Sequence, residues 1–236
     1  MATLTETLPR RGSGLARAAT VLGWLTFVSL ALSVAGIFLY APTERIQGDV
    51  QRIFYFHVPI ALNSYLAFFV VFAGGLAYLW KRDERWDRWA RCSAEVGVLY
   101  ATLMLLTGSI WAKPIWGTWW TWDARLTLTL FLFFLFVGYL ALRGSLHDPA
   151  ERARFSAVVG ILGMLLVPFI HLSVYLFRTL HPQPIVLKPS APSLPPEMLR
   201  TLLVSTAVFT LLYVGLVTLR YGLALAEEAR EAADVA

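Results

Sequence analysis

Five of the nine tryptophans in this 236-residue chain fall within twelve positions, at Trp111, Trp116, Trp119, Trp120 and Trp122, and Asp123 and Arg125 follow at once. Indole rings are flat and apolar with one N–H donor each, so such a cluster, with Gly117 allowing close backbone approach, makes a platform for a large planar ligand. Haem is the obvious ligand of that shape, and a quinone or a sterol also fits these residues alone. An aromatic belt places one or two tryptophans at a helix end and does not account for a cluster across one loop. Asp123 reads as the N-cap of the following helix, which is compatible with a ligand role, and Arg125, one turn in, is better placed for an anionic group than for snorkelling.

The four histidines are His57, His147, His171 and His181. His147 lies in a charged segment and reads as a solvated side chain. His57 precedes one apolar stretch and His181 follows another, which places both at the same membrane face as the tryptophans. Two neutral imidazoles converging from different loops are the axial ligands that an octahedral haem iron takes. His171 sits about 9 Å inside its apolar stretch, where a histidine bonding a neighbouring helix is the plainer reading. Arg52 and Arg178 neighbour the two outer histidines, and either pair with haem propionates or anchor the chain at the interface.

The elements that position these residues follow from composition. The chain is 58% hydrophobic and 15% charged, whereas soluble domains run about 45–50% and about 25%. Continuous apolar stretches exclude an alternating membrane barrel, and the aromatic content excludes disorder. Six stretches reach the roughly 20 residues needed to cross a bilayer, at 18–40, 58–80, 92–111, 124–142, 155–177 and 199–221. The fold class is therefore all-α, one six-helix membrane domain over 1–236, with Pro168 marking a kink in the fifth span. Lys and Arg concentrate at Arg10, Arg11 and Arg17, in the 81–91 and 143–154 loops and at Arg220 and Arg230, so both termini should be cytoplasmic and the tryptophan loop, 111–123, outward. The first apolar run is too long for a signal peptide and lacks an Ala-x-Ala end, so it reads as a retained span.

The net charge of +5 is dispersed among short loops and does not point to nucleic acid. Cys92 is the single cysteine and no Cys-x-x-Cys-His occurs, so haem is not attached covalently to this chain. No phosphate-binding loop is present, and any ATP would be bound by another chain. Ile46, Val50, Ile53, Phe54 and His57 are spaced for a short amphipathic helix at the interface. The proline-rich stretch 182–196 should be extended and stiff, either a connector or a ledge for an external partner.

The run Trp116-Gly-Thr-Trp-Trp-Thr-Trp-Asp-Ala-Arg-Leu-Thr127 resembles the tryptophan-rich "WWD" signature of haem-handling proteins, in the form carried by the cytochrome c maturation protein C family (haem exporter protein C). The likeness extends to Arg52-Ile-Phe-Tyr-Phe-His-Val-Pro59, to Ser173-Val and to Thr179-Leu-His181. It implies a bacterial inner-membrane protein that binds haem b (iron protoporphyrin IX) transiently at its periplasmic face, with His57 and His181 as axial ligands and Trp116 to Asp123 as platform. It further implies presentation of that haem to a periplasmic haem chaperone, beside an ABC-type ATPase subunit, a second membrane subunit and a small one-span subunit. On that reading the chain is not an enzyme. It departs from the family at Tyr175, Leu176 and Phe177 and at Pro182. Two alternatives are a cytochrome c synthetase, which has Trp-Asp-Pro and an embedded histidine pair, and a b-type electron-transfer subunit, which needs four histidines in facing spans.

Overall fold

The computed structural model describes residues 10–186 and 188–235. Among these the elements are helices only: α1 (Arg10–Leu39), a short 3-10 turn (Asp49–Ile53), α2 (Phe54–Lys81), α3 (Glu84–Trp116), α4 (Ala124–Ser145), α5 (Pro149–Met164), α6 (Leu166–Leu176) and α7 (Pro196–Val235). Six helices are long and apolar enough to cross a membrane, with α5 and α6 counted as one broken span, Pro149–Leu176. The fold class is that expected, a polytopic all-α membrane protein. The side chains of Arg10 and Arg11 lie outside the described residues.

The differences from expectation have local causes. The third span extends to Trp116, so Trp111 and Trp116 belong to the last turns of α3, and the irregular loop is only 117–123. The fifth span breaks at Leu165, three residues before Pro168, whose missing N–H and ring cannot be accommodated against the preceding turn. The expected interfacial helix is reduced to the 3-10 turn running into α2. Upstream, the Glu44 carboxylate accepts the N–H of Ile46 at 2.9 Å and of Gln47 at 2.5 Å, and Gly48 has a φ of 59°. That turn leaves Ile46 92% exposed and places Phe54 and His57 in the first turn of α2. The 182–196 stretch bends back on itself, with Ser193 N–H donating to the Ile185 carbonyl at 2.9 Å. Ile185, Val186 and Leu194 pack against the buried cluster of Ile37, Ala41, Phe54, Tyr55, Met198 and Leu202, and that apolar attachment overrides the stiffness of the prolines.

α2 is the central helix, packed on α3, α5 and α7; α1 packs on α7, and α4 on α3, α5 and α6. Because lipid supplies no hydrophobic drive between helices, close approach through small residues holds them. A Cβ on Gly97 of α3 would stand 3.0 Å from the Cβ of Ala67 of α2. Nearby, the Ser93 hydroxyl donates to the Ala67 carbonyl at 2.8 Å, and Tyr100 donates to the Phe209 carbonyl of α7 at 2.8 Å.

At the face opposite the tryptophans, charged pairs lock the helix ends. Arg143 of α4 donates two hydrogen bonds, 2.6 and 2.7 Å, to the two carboxylate oxygens of Asp87 of α3. Glu95 of α3 holds Arg220 of α7 as well as Arg91. Arg143 is 9% exposed, so removing its partner strands a buried cation at a cost of about 3–5 kcal/mol. Asp87→Ala should therefore sharply lower the thermal unfolding midpoint in detergent, and the double variant Asp87→Leu/Arg143→Met should recover most of it. Equal loss in both variants would assign the effect to packing.

Candidate functional site

The site is built where the start of α2 meets the end of α3. His57 Nδ1 lies 3.0 Å from Thr107 Oγ1, and the Thr107 hydroxyl donates to its own helix at the Leu103 carbonyl, 2.7 Å away. The imidazole lies against the backbone of the next residue: a Cβ on Gly108 would stand 3.0 Å from His57 Cε1. One turn on, Trp111 closes a third side, its ring edge-on to His57 at 5.8 Å between centroids. The Trp111 indole is itself fixed, donating to Gln47 Oε1 at 3.0 Å and packing edge-on against Phe54.

The tryptophan loop begins at Gly117, whose φ of 75° terminates α3 in the left-handed conformation that glycine adopts without penalty. Gly117 thus serves as a helix cap; a Cβ there would meet nothing within 4 Å in the chain, so the close approach expected of it is not to another part of this protein. Thr118 Oγ1 donates to the Trp120 carbonyl at 2.9 Å and Thr121 Oγ1 to Asp123 Oδ2 at 3.1 Å. The other Asp123 oxygen accepts the Leu126 N–H at 3.0 Å, the N-cap expected of it. Trp119 and Trp122 are 57% and 76% exposed, Trp116 and Trp120 half-buried, and Trp120 and Trp122 meet edge to face at 5.7 Å.

Two donors here lack acceptors. Trp120 Nε1 and Arg125 Nη1 are buried and have no hydrogen-bond partner among the described residues. A stranded buried donor costs about 1–3 kcal/mol, more when charged, so both donors are available to an acceptor from outside the chain. A carboxylate-bearing planar ring meets that donor set.

His181 approaches from the linker after α6. Its Nδ1 lies 2.9 Å from the Pro182 carbonyl, which can only accept, so Nδ1 carries the proton and the Nε2 lone pair is free. Burial, and then the Arg125 guanidinium, push its pKa from 6.5 down to about 4, against weaker opposing effects of the Pro182 carbonyl and Asp123. The imidazole is therefore neutral at pH 7, the form that binds a metal. His57 and His181 lie within electrostatic reach of each other, and Arg125 within reach of both and of His171.

The other arginines and histidines singled out in the sequence lie in different surroundings. Arg52 turns instead to the end of α1, donating to the carbonyls of Ile37 and Ala41, to Thr43 and to Asp49; all three of its nitrogens are engaged in anchoring α1 to the 3-10 turn. Arg178 is exposed and has no ion-pair partner among the described residues. His171 is half-buried with its ring 6.4 Å from that of Tyr175, and His147 is exposed. Conversely, Thr107, Gly108 and Gln47 are part of the geometry and were not evident from sequence. The available signal was the spacing Thr107, Gly108 and Trp111 on one face of the last turns of the third span.

Six helices long and apolar enough to cross a membrane, with two imidazoles and a tryptophan loop gathered at one end of them, define a multi-pass membrane protein. The chain belongs to the family described as Heme exporter protein C (CcmC), whose model matches residues 7–236. It is 38% identical over 204 residues to a Bradyrhizobium diazoefficiens protein of that name, covering 86% of this chain and 78% of the relative. A Haemophilus influenzae protein of the same name is 35% identical over 209 residues, covering 88% and 85%. The Escherichia coli K12 protein of that name is 37% identical over 164 residues, covering 67% and 66%.

The His181 environment sets a pH dependence. Between pH 6.5 and about 4 the unfolded chain takes up a proton at this residue that the folded chain refuses, so its contribution to stability is intact above pH 6.5 and is lost as pH falls through that window. The unfolding midpoint of the ligand-free protein should drop more between pH 7.5 and pH 5 than that of His181→Gln. Parallel drops would contradict the assigned environment.

Proposed function

We propose that this chain binds haem b at the periplasmic face of the bacterial inner membrane and presents it to a periplasmic haem chaperone for cytochrome c maturation. The observation that carries the reading is the convergence of His57, at the start of α2, and His181, on the linker after α6, beside a tryptophan loop region with two buried donors that have no partner among the described residues. The names of the relatives support it, as does the distribution of Lys and Arg, which favours cytoplasmic termini and an outward tryptophan face.

Haem brings a planar apolar ring, two propionates and an iron that accepts two axial nitrogens. In this reading His57 and His181 would hold the iron through their Nε2 nitrogens. Trp116, Trp119, Trp120 and Trp122 hold the ring, with Gly117 and Asp123 fixing the ends of their loop. Arg125 Nη1 and Trp120 Nε1 donate to a propionate, while Arg52 secures the scaffold. The exposed edges of Trp119 and Trp122 leave one side open to a partner, as a site built for handover requires. The protein contributes positioning and ligation, not covalent chemistry, and its role is that of a handling subunit. ATP hydrolysis falls to an ABC-type partner, with a second membrane subunit and a small one-span subunit completing the complex.

The test is the visible spectrum and haem content of the purified protein and its variants. His57→Ala and His181→Ala should each abolish six-coordinate ligation or lose the haem, and His171→Ala should be silent. Arg125→Ala should weaken haem binding about tenfold or more, the worth of a charge-assisted hydrogen bond. Unchanged spectra in both outer variants, or dependence on His171, would overturn the reading.

A further inference from the structure

We propose that Thr107 is a positioning residue that fixes the tautomer and orientation of His57, so that its Nε2 lone pair, and not Nδ1, faces the iron. The inference rests on the reading of His57 as an iron ligand. Thr107 Oγ1 is 3.0 Å from His57 Nδ1 and donates to the Leu103 carbonyl at 2.7 Å, while the Met104 carbonyl, 3.3 Å from the hydroxyl, also accepts from the imidazole. A hydroxyl whose proton is spent can only accept from the imidazole. Nδ1 must then carry hydrogen, which leaves Nε2 bare. The arrangement reproduces at His57 what the Pro182 carbonyl does at His181. Both histidines thereby offer the same nitrogen, though one is set by a side chain in a helix and the other by the backbone of its own loop.

The surroundings convert this tautomer into a fixed direction. Gly108 lets the ring lie against α3, where any Cβ would stand 3.0 Å from Cε1, and Trp111 bars the third side. With hydroxyl, helix backbone and indole around it, the ring cannot turn over without breaking the Nδ1 contact. A hydrogen bond to the far nitrogen of a ligating imidazole also raises the electron density at the metal-bound nitrogen, and loss of such partners typically costs about 10- to 100-fold in metal affinity.

The experiment compares Thr107→Val, which keeps the branched shape and removes the hydroxyl, with Thr107→Ser, which keeps the hydroxyl. Each full-length protein is titrated with haem in detergent, and the midpoint potential of the bound haem is measured by spectroelectrochemistry; His57→Ala is the control. Thr107→Val should bind haem about tenfold more weakly and raise the midpoint potential, since a less electron-rich imidazole stabilises the ferric iron less. Thr107→Ser should match the parent in both. Wild-type affinity and potential in Thr107→Val, with His57→Ala still losing its ligation, would overturn the positioning role alone. Equal damage in the Val and Ser variants would also overturn it, by assigning the effect to the methyl group. An unaffected His57→Ala protein would instead remove the ligand reading on which the inference stands.

Discussion

The seating of the first turn of α2 against the last two turns of α3 is the contact on which the site depends. It is where His57 meets Thr107, Gly108 and Trp111, and everything else at that face is arranged about it. Below it the two helices are held at close range by small residues and inter-helix hydrogen bonds such as Ser93 to Ala67. Above it, Gln47 pins Trp111, and Arg52 ties the 3-10 turn to the end of α1. A relative shift of α2 and α3 would disturb the contacts of His57 with Thr107, Gly108 and Trp111 at once.

The other half of the site hangs on less regular structure. The tryptophan loop is short, capped at one end by Gly117 and at the other by Asp123, and His181 arrives on a proline-rich linker anchored through Ile185, Val186 and Leu194. The site thus sets a histidine fixed in a helix against a histidine held by a loop. In the proposed handover, that asymmetry makes His181, which no helix holds, the ligand to be given up and His57 the one to be kept.

Much of the fold was legible in the sequence because a bilayer imposes a single demand, about 20 apolar residues per crossing, and six stretches meet it. The break near Pro168 was legible for the same kind of reason, since proline's missing donor acts locally. The end of α3 was not: Pro114 and the aromatic residues around it read as loop, yet helix continues until Gly117 supplies the left-handed cap. At the candidate site, residue type and position placed His57, His181, Asp123 and Arg125 at one face, and the structure brings them near one another. Arg52 was legible only as a choice between a propionate partner and an anchor, because two of its four partners are the backbone carbonyls of Ile37 and Ala41, which no side-chain pattern encodes. Thr107 was hidden, since a threonine in an apolar span usually bonds only its own helix, and here it does that and receives His57 as well.

The most direct measurement of the central claim is a cryo-electron microscopy structure of the haem-loaded protein in a lipid nanodisc. The iron should lie within bonding distance of Nε2 of both His57 and His181, with the ring against Trp120 and a propionate at Arg125 Nη1. Density for haem within the spans against His171, or an iron bonded to neither outer histidine, would contradict it.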